Sequence, residues 1–256
     1  MKKLSMKKTI ALTLCIALFA VFLTGCVSIN FSPMFGAGGA SVSGRGSMET
    51  FAFDVGEITE IRVELLCNIV YYSAPSDTVT FEVQPNLMEY ITVEESGGVL
   101  TVRSTRNINV TGTGNTPTLT VSSPSLSRVS HAGAGRFIAR DTISTDKFSL
   151  NITGAADGKA HLNVSDLTVS LSGAGNFELS GVADNADINM AGAGRLDGLD
   201  LETRTASINI SGVGTVSISC SDNLRIVAGG VGTVEYRGSP AVDLTRGGLV
   251  TVRQVD

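Results

Sequence analysis

Ala132-Gly-Ala-Gly-Arg-Phe137 recurs as Ser172-Gly-Ala-Gly-Asn-Phe177, Ala191-Gly-Ala-Gly-Arg-Leu196, Ser211-Gly-Val-Gly-Thr-Val216 and Gly229-Gly-Val-Gly-Thr-Val234, with a degraded copy at Thr153-Gly-Ala-Ala156. The first glycines of the copies, Gly133, Gly154, Gly173, Gly192, Gly212 and Gly230, follow one another at steps of 21, 19, 19, 20 and 18 residues, and a seventh, blurred copy begins near Gly247. A period of this length marks a stack of structural repeats.

The residue classes around each glycine say what one repeat is. Four positions before it stand Val129, Leu150, Val169, Ile188, Ile208 and Ile226, and two before it stand His131, Ile152, Leu171, Met190, Ile210 and Ala228. Four positions after it come Phe137, Phe177, Leu196, Val216 and Val234, with Gly158 the exception. Odd offsets carry Ser130, Asn151, Ser170, Asn189, Asn209 and Val227 on one side, and Ile138, Lys159, Glu178, Asp197, Ser217 and Glu235 on the other, mostly polar with Val227 and Ile138 the exceptions. Successive side chains of a strand point to opposite faces, so one parity is core and the other meets solvent. Each unit reads as strand, Gly-x-Gly corner, strand. Glycine is expected at Gly133, Gly135, Gly154, Gly173, Gly175, Gly192, Gly194, Gly212, Gly214, Gly230 and Gly232 because the chain bends sharply, can take positive φ and has little space for a side chain where coils stack. One coil of a β-solenoid fits such a unit. A sandwich or barrel of hairpins also uses Gly-rich turns, but it does not require the same residue class at the same offset in every unit. The expectation is therefore an all-β solenoid, with its Gly-x-Gly repeats over 126–256.

Upstream, Ile58–Leu65, Val79–Val83 and Val99–Arg103 alternate apolar and polar residues, as half-buried strands do, and no helical period appears. Residues 48–125 are read as opening strands of the same domain. The stretch 26–47 is rich in Gly and Ser without apolar periodicity and reads as a tether. Before it, Lys2, Lys3, Lys7 and Lys8, the uncharged run Thr9–Phe22 and Leu23-Thr-Gly-Cys26 follow the order of an export signal. Leu23-Thr-Gly-Cys26 resembles the bacterial lipobox, which implies cleavage after residue 25 and a lipid on Cys26. A glyceride together with an amide-linked acyl chain would give the several chains that stable anchoring needs.

Losing the leader's four lysines takes the formal charge from −5 to −9 and leaves only Lys147 and Lys159. Such a domain has no electrostatic footprint for nucleic acid. Cys67 and Cys220, 153 residues apart, are expected as buried reduced thiols, although sequence alone leaves a disulfide open. No Cys and His spacing suggests a metal, the corners lack the Asp of calcium-binding repeats, and no cofactor is expected. His131 takes an inward parity and is expected to be buried and hydrogen-bonded; His161 receives no role. Of the adjacent Tyr71 and Tyr72, one must point outward.

The run from Pro117 to Phe137, the repeated Ser-Gly-Ala-Gly units after it, and the opening strands Phe51–Val70, Val79–Val83 and Gly98–Val102 together resemble the bacterial head GIN domain family, labelled autotransporter adhesins. The resemblance spans roughly 48–256. It implies a right-handed β-helix-like fold on an exported or lipid-anchored protein, and it carries no catalytic motif. Ala156 in a corner and the blurred Arg246-Gly-Gly-Leu249 depart from the pattern. The expected function is a non-catalytic binding or structural module, held outside the cytoplasm by its lipid and meeting an envelope protein or glycan. The alternative is a polysaccharide-degrading β-helix using Asp184 with Asp187, or Asp197 with Asp200, as acid and base. Turn chemistry is the simpler expected explanation for those carboxylates.

Overall fold

The computed structural model describes residues 42–106, 108–109 and 116–256. The opening segment holds β1 (Val42–Ser43), β2 (Glu49–Phe53), β3 (Glu60–Val63), β4 (Asn68–Ser73), β5 (Thr78–Val83), the single turn α1 (Pro85–Met88), β6 (Ile91–Ser96), β7 (Val99–Ser104), β8 (Ile108–Asn109) and β9 (Thr118–Ser123). The repeats hold β10 (Arg128–His131), β11 (Ala134–Ala139), β12 (Ile143–Ile152), β13 (Ala155–Leu171), β14 (Ala174–Met190), β15 (Ala193–Ile210), β16 (Val213–Ala228), β17 (Val231–Arg237), β18 (Ala241–Arg246) and β19 (Leu249–Gln254).

From β10 onward the chain winds as a β-solenoid of stacked parallel coils. β13, β14, β15 and β16 each run almost a full coil, broken only around the first glycine of each corner, and pair in parallel with the next turn. Register keeps like on like: Gly175 lies beside Gly194, Gly194 beside Gly214, and Gly214 beside Gly232. Each apolar residue of the inward parity thereby stacks on its equivalent one coil away, and the core is a column of ladders such as Val169, Ile188, Ile208 and Ile226, all at most 1% exposed.

Stacking this close explains the first glycine of each corner. A Cβ at Gly173 would sit 1.7 Å from the carbonyl oxygen of Gly154, and one at Gly192 would sit 1.8 Å from that of Gly173. Gly175 adds a φ of +152°, where side chains are rare. Gly158, the odd member of an apolar row, has a different cause: a Cβ there would meet the Phe177 ring at 2.2 Å, so the ring of the next coil fills the space that the glycine leaves.

The opening strands do not follow chain order. β3 and β4 form a coil beneath β10 and β11, while β7 and β9 stack on the other side of that coil. Antiparallel strands then close this end: β6 pairs with β7, β5 with β9, and β2 with β5. β1, within the stretch read as tether, pairs in parallel with β8, and Asn86 ties it down by donating to the Ser43 carbonyl at 2.9 Å and accepting from the Arg45 amide at 2.8 Å. Residues 42–45 are thus attached to the domain. No described helix is long and apolar enough to cross a membrane.

Candidate functional site

The outward parity before the corners builds three polar rows, one residue per coil. The first runs Lys147, Asp166, Asn185, Thr205, Asn223; the second Arg128, Ser149, Thr168, Asp187, Ser207, Arg225; the third Ser130, Asn151, Ser170, Asn189, Asn209. Residues of the first two rows line a shallow groove of about 870 Å³ that crosses several coils. Its side chains hold one another in place. Thr205 donates to Asn185 Oδ1 at 2.5 Å, Asn185 to Asp166 Oδ1 at 2.9 Å, and Lys147 Nζ lies 3.6 Å from Asp166. From the third row to the second, Asn189 donates to Asp187 at 3.3 Å and Asn151 to Ser149 at 3.2 Å.

A second hollow, of about 640 Å³, arises from an irregularity. β15 carries extra residues between Gly198 and Glu202 relative to β16, and the register shifts there. Such bulges re-aim side chains. The Leu199 carbonyl in the bulge accepts from Ser219 Oγ at 2.5 Å and from Arg237 Nη1 at 3.0 Å. Asp184, Asp200 and Glu202 line this hollow together with Arg204 and Arg237.

The two sequence pairs of aspartates are not brought together. Asp187 lines the groove whereas Asp184 lines the hollow. Asp197 forms an ion pair with Arg195 at 3.0 Å, and Asp200 joins Asp184 in the hollow. All four lie within the continuous strands β14 and β15, and only Asp197 accepts from its own nearby backbone, the Leu199 amide at 3.5 Å, so among the described residues the expected turn explanation does not hold for the other three. The carboxylates that do share a wall, Asp184, Asp200 and Glu202, come from neighbouring coils, and only the bulge in β15 places them so.

His131 is 1% exposed between Val63 and Ile152, as expected from its parity, but neither ring nitrogen has a hydrogen-bond partner among the described residues. Burial lowers its pKa, outweighing the opposite pull of the nearby Leu65 carbonyl, which lies outside hydrogen-bonding geometry. Cys67 and Cys220 are both buried and form no disulfide among the described residues, and burial pushes the Cys67 thiol up to about 12. Tyr71 is buried with its hydroxyl donating to the Ser123 carbonyl at 2.6 Å, and Tyr72 points outward. His161 is exposed beside Ser180 at 3.0 Å. Among the described residues no three His, Cys, Asp or Glu side chains cluster closely enough to hold a metal ion. Cys26 and the leader lie outside the described residues.

Residues 57–240 match the family described as "Putative auto-transporter adhesin, head GIN domain". A "putative adhesin" of Bacteroides fragilis NCTC 9343 has a similar structure, with a TM-score of 0.79 and 21% identity over 84% of this chain and 100% of that one. A "putative adhesin" of Parabacteroides merdae ATCC 43184 gives 0.59 and 21%, over 84% and 99%. A "Putative lipid binding protein" of Parabacteroides distasonis ATCC 8503 gives 0.62 and 19%, over 85% and 100%. These likenesses are of fold. No curated protein matches the chain. With the greater part of its length matched, and with the solenoid and corners described above, the chain belongs to the head GIN domain family.

Proposed function

We propose that the protein is a lipid-anchored binding module of the cell envelope, adhesin-like and without catalysis, which meets its partner through the polar groove. The observation that carries this reading is the groove itself: a broad, shallow surface whose donors and acceptors repeat from coil to coil and do not converge on one point. Chemistry needs the opposite, a nucleophile or activated water with a base in reach and donors aimed at developing charge. The export signal and Cys26 support placement outside the cytoplasm, and the adhesin description of the family agrees with a surface role.

The test is capture of envelope components by the full chain held in detergent. Thr168→Phe obstructs the groove and should abolish capture; Asn176→Phe, an exposed change beyond the corner, should leave it intact. Equal capture by both variants would move the binding surface elsewhere. A second reading, cleavage of an acidic polysaccharide, draws on the hollow, where three carboxylates face Arg204 and Arg237. It predicts turnover that Asp184→Asn or Asp200→Asn eliminates.

A further inference from the structure

Resting on the binding reading above, we infer that the groove takes a neutral polysaccharide, extended along the solenoid axis so that its rings pass over successive coils. Beside charged side chains of both signs and buried apolar ones, the lining carries a series of hydroxyls and amides that both donate and accept, as sugar hydroxyls do. Thr168, Asn185, Thr205, Ser207 and Asn223 present such groups on neighbouring coils. Coils advance by about 4.8 Å, so a polymer with a repeating hydroxyl-bearing unit meets a similar set of partners at each step. The hydrogen bonds from Thr205 to Asn185 and from Asn185 to Asp166 hold these groups in place beforehand, which lowers the ordering cost of binding.

Other ligand classes fit worse. A polyanion needs several unpaired cations, whereas Lys147 is paired with Asp166 and Arg128 faces Glu60 at 3.8 Å; Arg225 is the one lining cation without an ion pair among the described residues, and the charge of Asp187 offsets it. A protein partner wants large apolar or aromatic anchors. The apolar residues of the groove's lining, Phe148, Leu167, Ala186 and Ala206, are all buried, and the exposed Val213, Val231 and Leu249 belong to the corners, outside that lining. Without an aromatic platform each ring is held weakly, and affinity has to accumulate along the chain.

Affinity electrophoresis and calorimetry of the full chain in detergent, against neutral glucans, mannans, xylans and galactans and against polygalacturonate, decide the matter. The expected result is retention by at least one neutral polymer, with affinity rising with oligosaccharide length until the groove's coils are covered. Thr168→Phe and Ser207→Phe should each weaken it by roughly tenfold or more, with Asn176→Phe unchanged and all three variants melting like the parent. Binding of no neutral glycan, or of polygalacturonate in preference, overturns the proposal. If an envelope protein is captured instead and lost with Thr168→Phe, the glycan class is wrong while the binding groove stands. If Thr168→Phe changes neither glycan nor protein capture, both readings fall.

Discussion

His131 stands in an inward row with Val63, Ile152, Leu171, Met190, Ile210 and Ala228, and its two ring nitrogens find no partner among the described residues. A buried polar group in that state costs on the order of 1–3 kcal/mol. Its pKa is lower in the folded chain than the unfolded value of about 6.5, so at acid pH the unfolded state binds the extra proton. Stability should be full above that value and fall as pH drops through it towards the folded pKa. Urea midpoints from pH 7.5 to 5 should show the decline, and His131→Leu should flatten it while gaining on the order of 1 kcal/mol at neutral pH. An unchanged pH profile in the variant would assign the acid sensitivity to other groups. Cys26 sits at the same scale. With Ser in its place, labelled palmitate should no longer be incorporated, and continued labelling would refute the anchor.

At the scale of the element, the corner explains which glycines matter. Gly173→Val and Gly192→Val would drive a Cβ into a carbonyl oxygen of the preceding coil, and backbone in the middle of a parallel ladder cannot step aside. Each should destabilise by several kcal/mol, well beyond the roughly 1 kcal/mol of glycine's propensity alone. Gly229→Ala is the internal control. Its nearest neighbour would be the Ile210 carbonyl at 3.8 Å, and thermal melts should place the variant within about 0.5 kcal/mol of the parent. Gly158 lies between these cases, because what opposes a side chain there is the Phe177 ring, and Gly158→Ala should be partly relieved by Phe177→Leu.

For the whole molecule, stability is close to a sum of coils and the interfaces between them. Central coils have neighbours on both sides, whereas among the described strands β18 pairs only with β16 and β19 only with β17. Amide exchange should therefore be slowest across β13, β14 and β15 and fastest in β18 and β19, with the antiparallel strands β2, β5 and β6 protecting the opposite end. Uniform exchange from β10 to β19 would instead mark a single cooperative unit.

The solenoid was legible in the repeats because a stacked coil imposes one local rule at every turn. Parity sorts side chains inward or outward, and a corner pressed against the coil below admits only glycine; both leave their mark residue by residue. The exception at Gly158 was visible, but its reason was not, since the Phe177 ring that fills the gap arrives from another coil. The opening segment also escaped: alternation identified β3, β5 and β7 as strands, yet their order in the stack depends on which edges pair across long stretches of chain. Likewise the lone imidazole of His131 was rightly placed inside, while its want of a partner depends on what surrounds it. The polar rows could be read from the odd offsets, but their concavity and the hydrogen bonds along them come from the stacking. Aspartates close in sequence point to different faces of a coil, and those that share the hollow are gathered by a bulge in β15. Local patterning thus determined the kind of coil, and contacts between coils alone decided where its surface could hold a ligand.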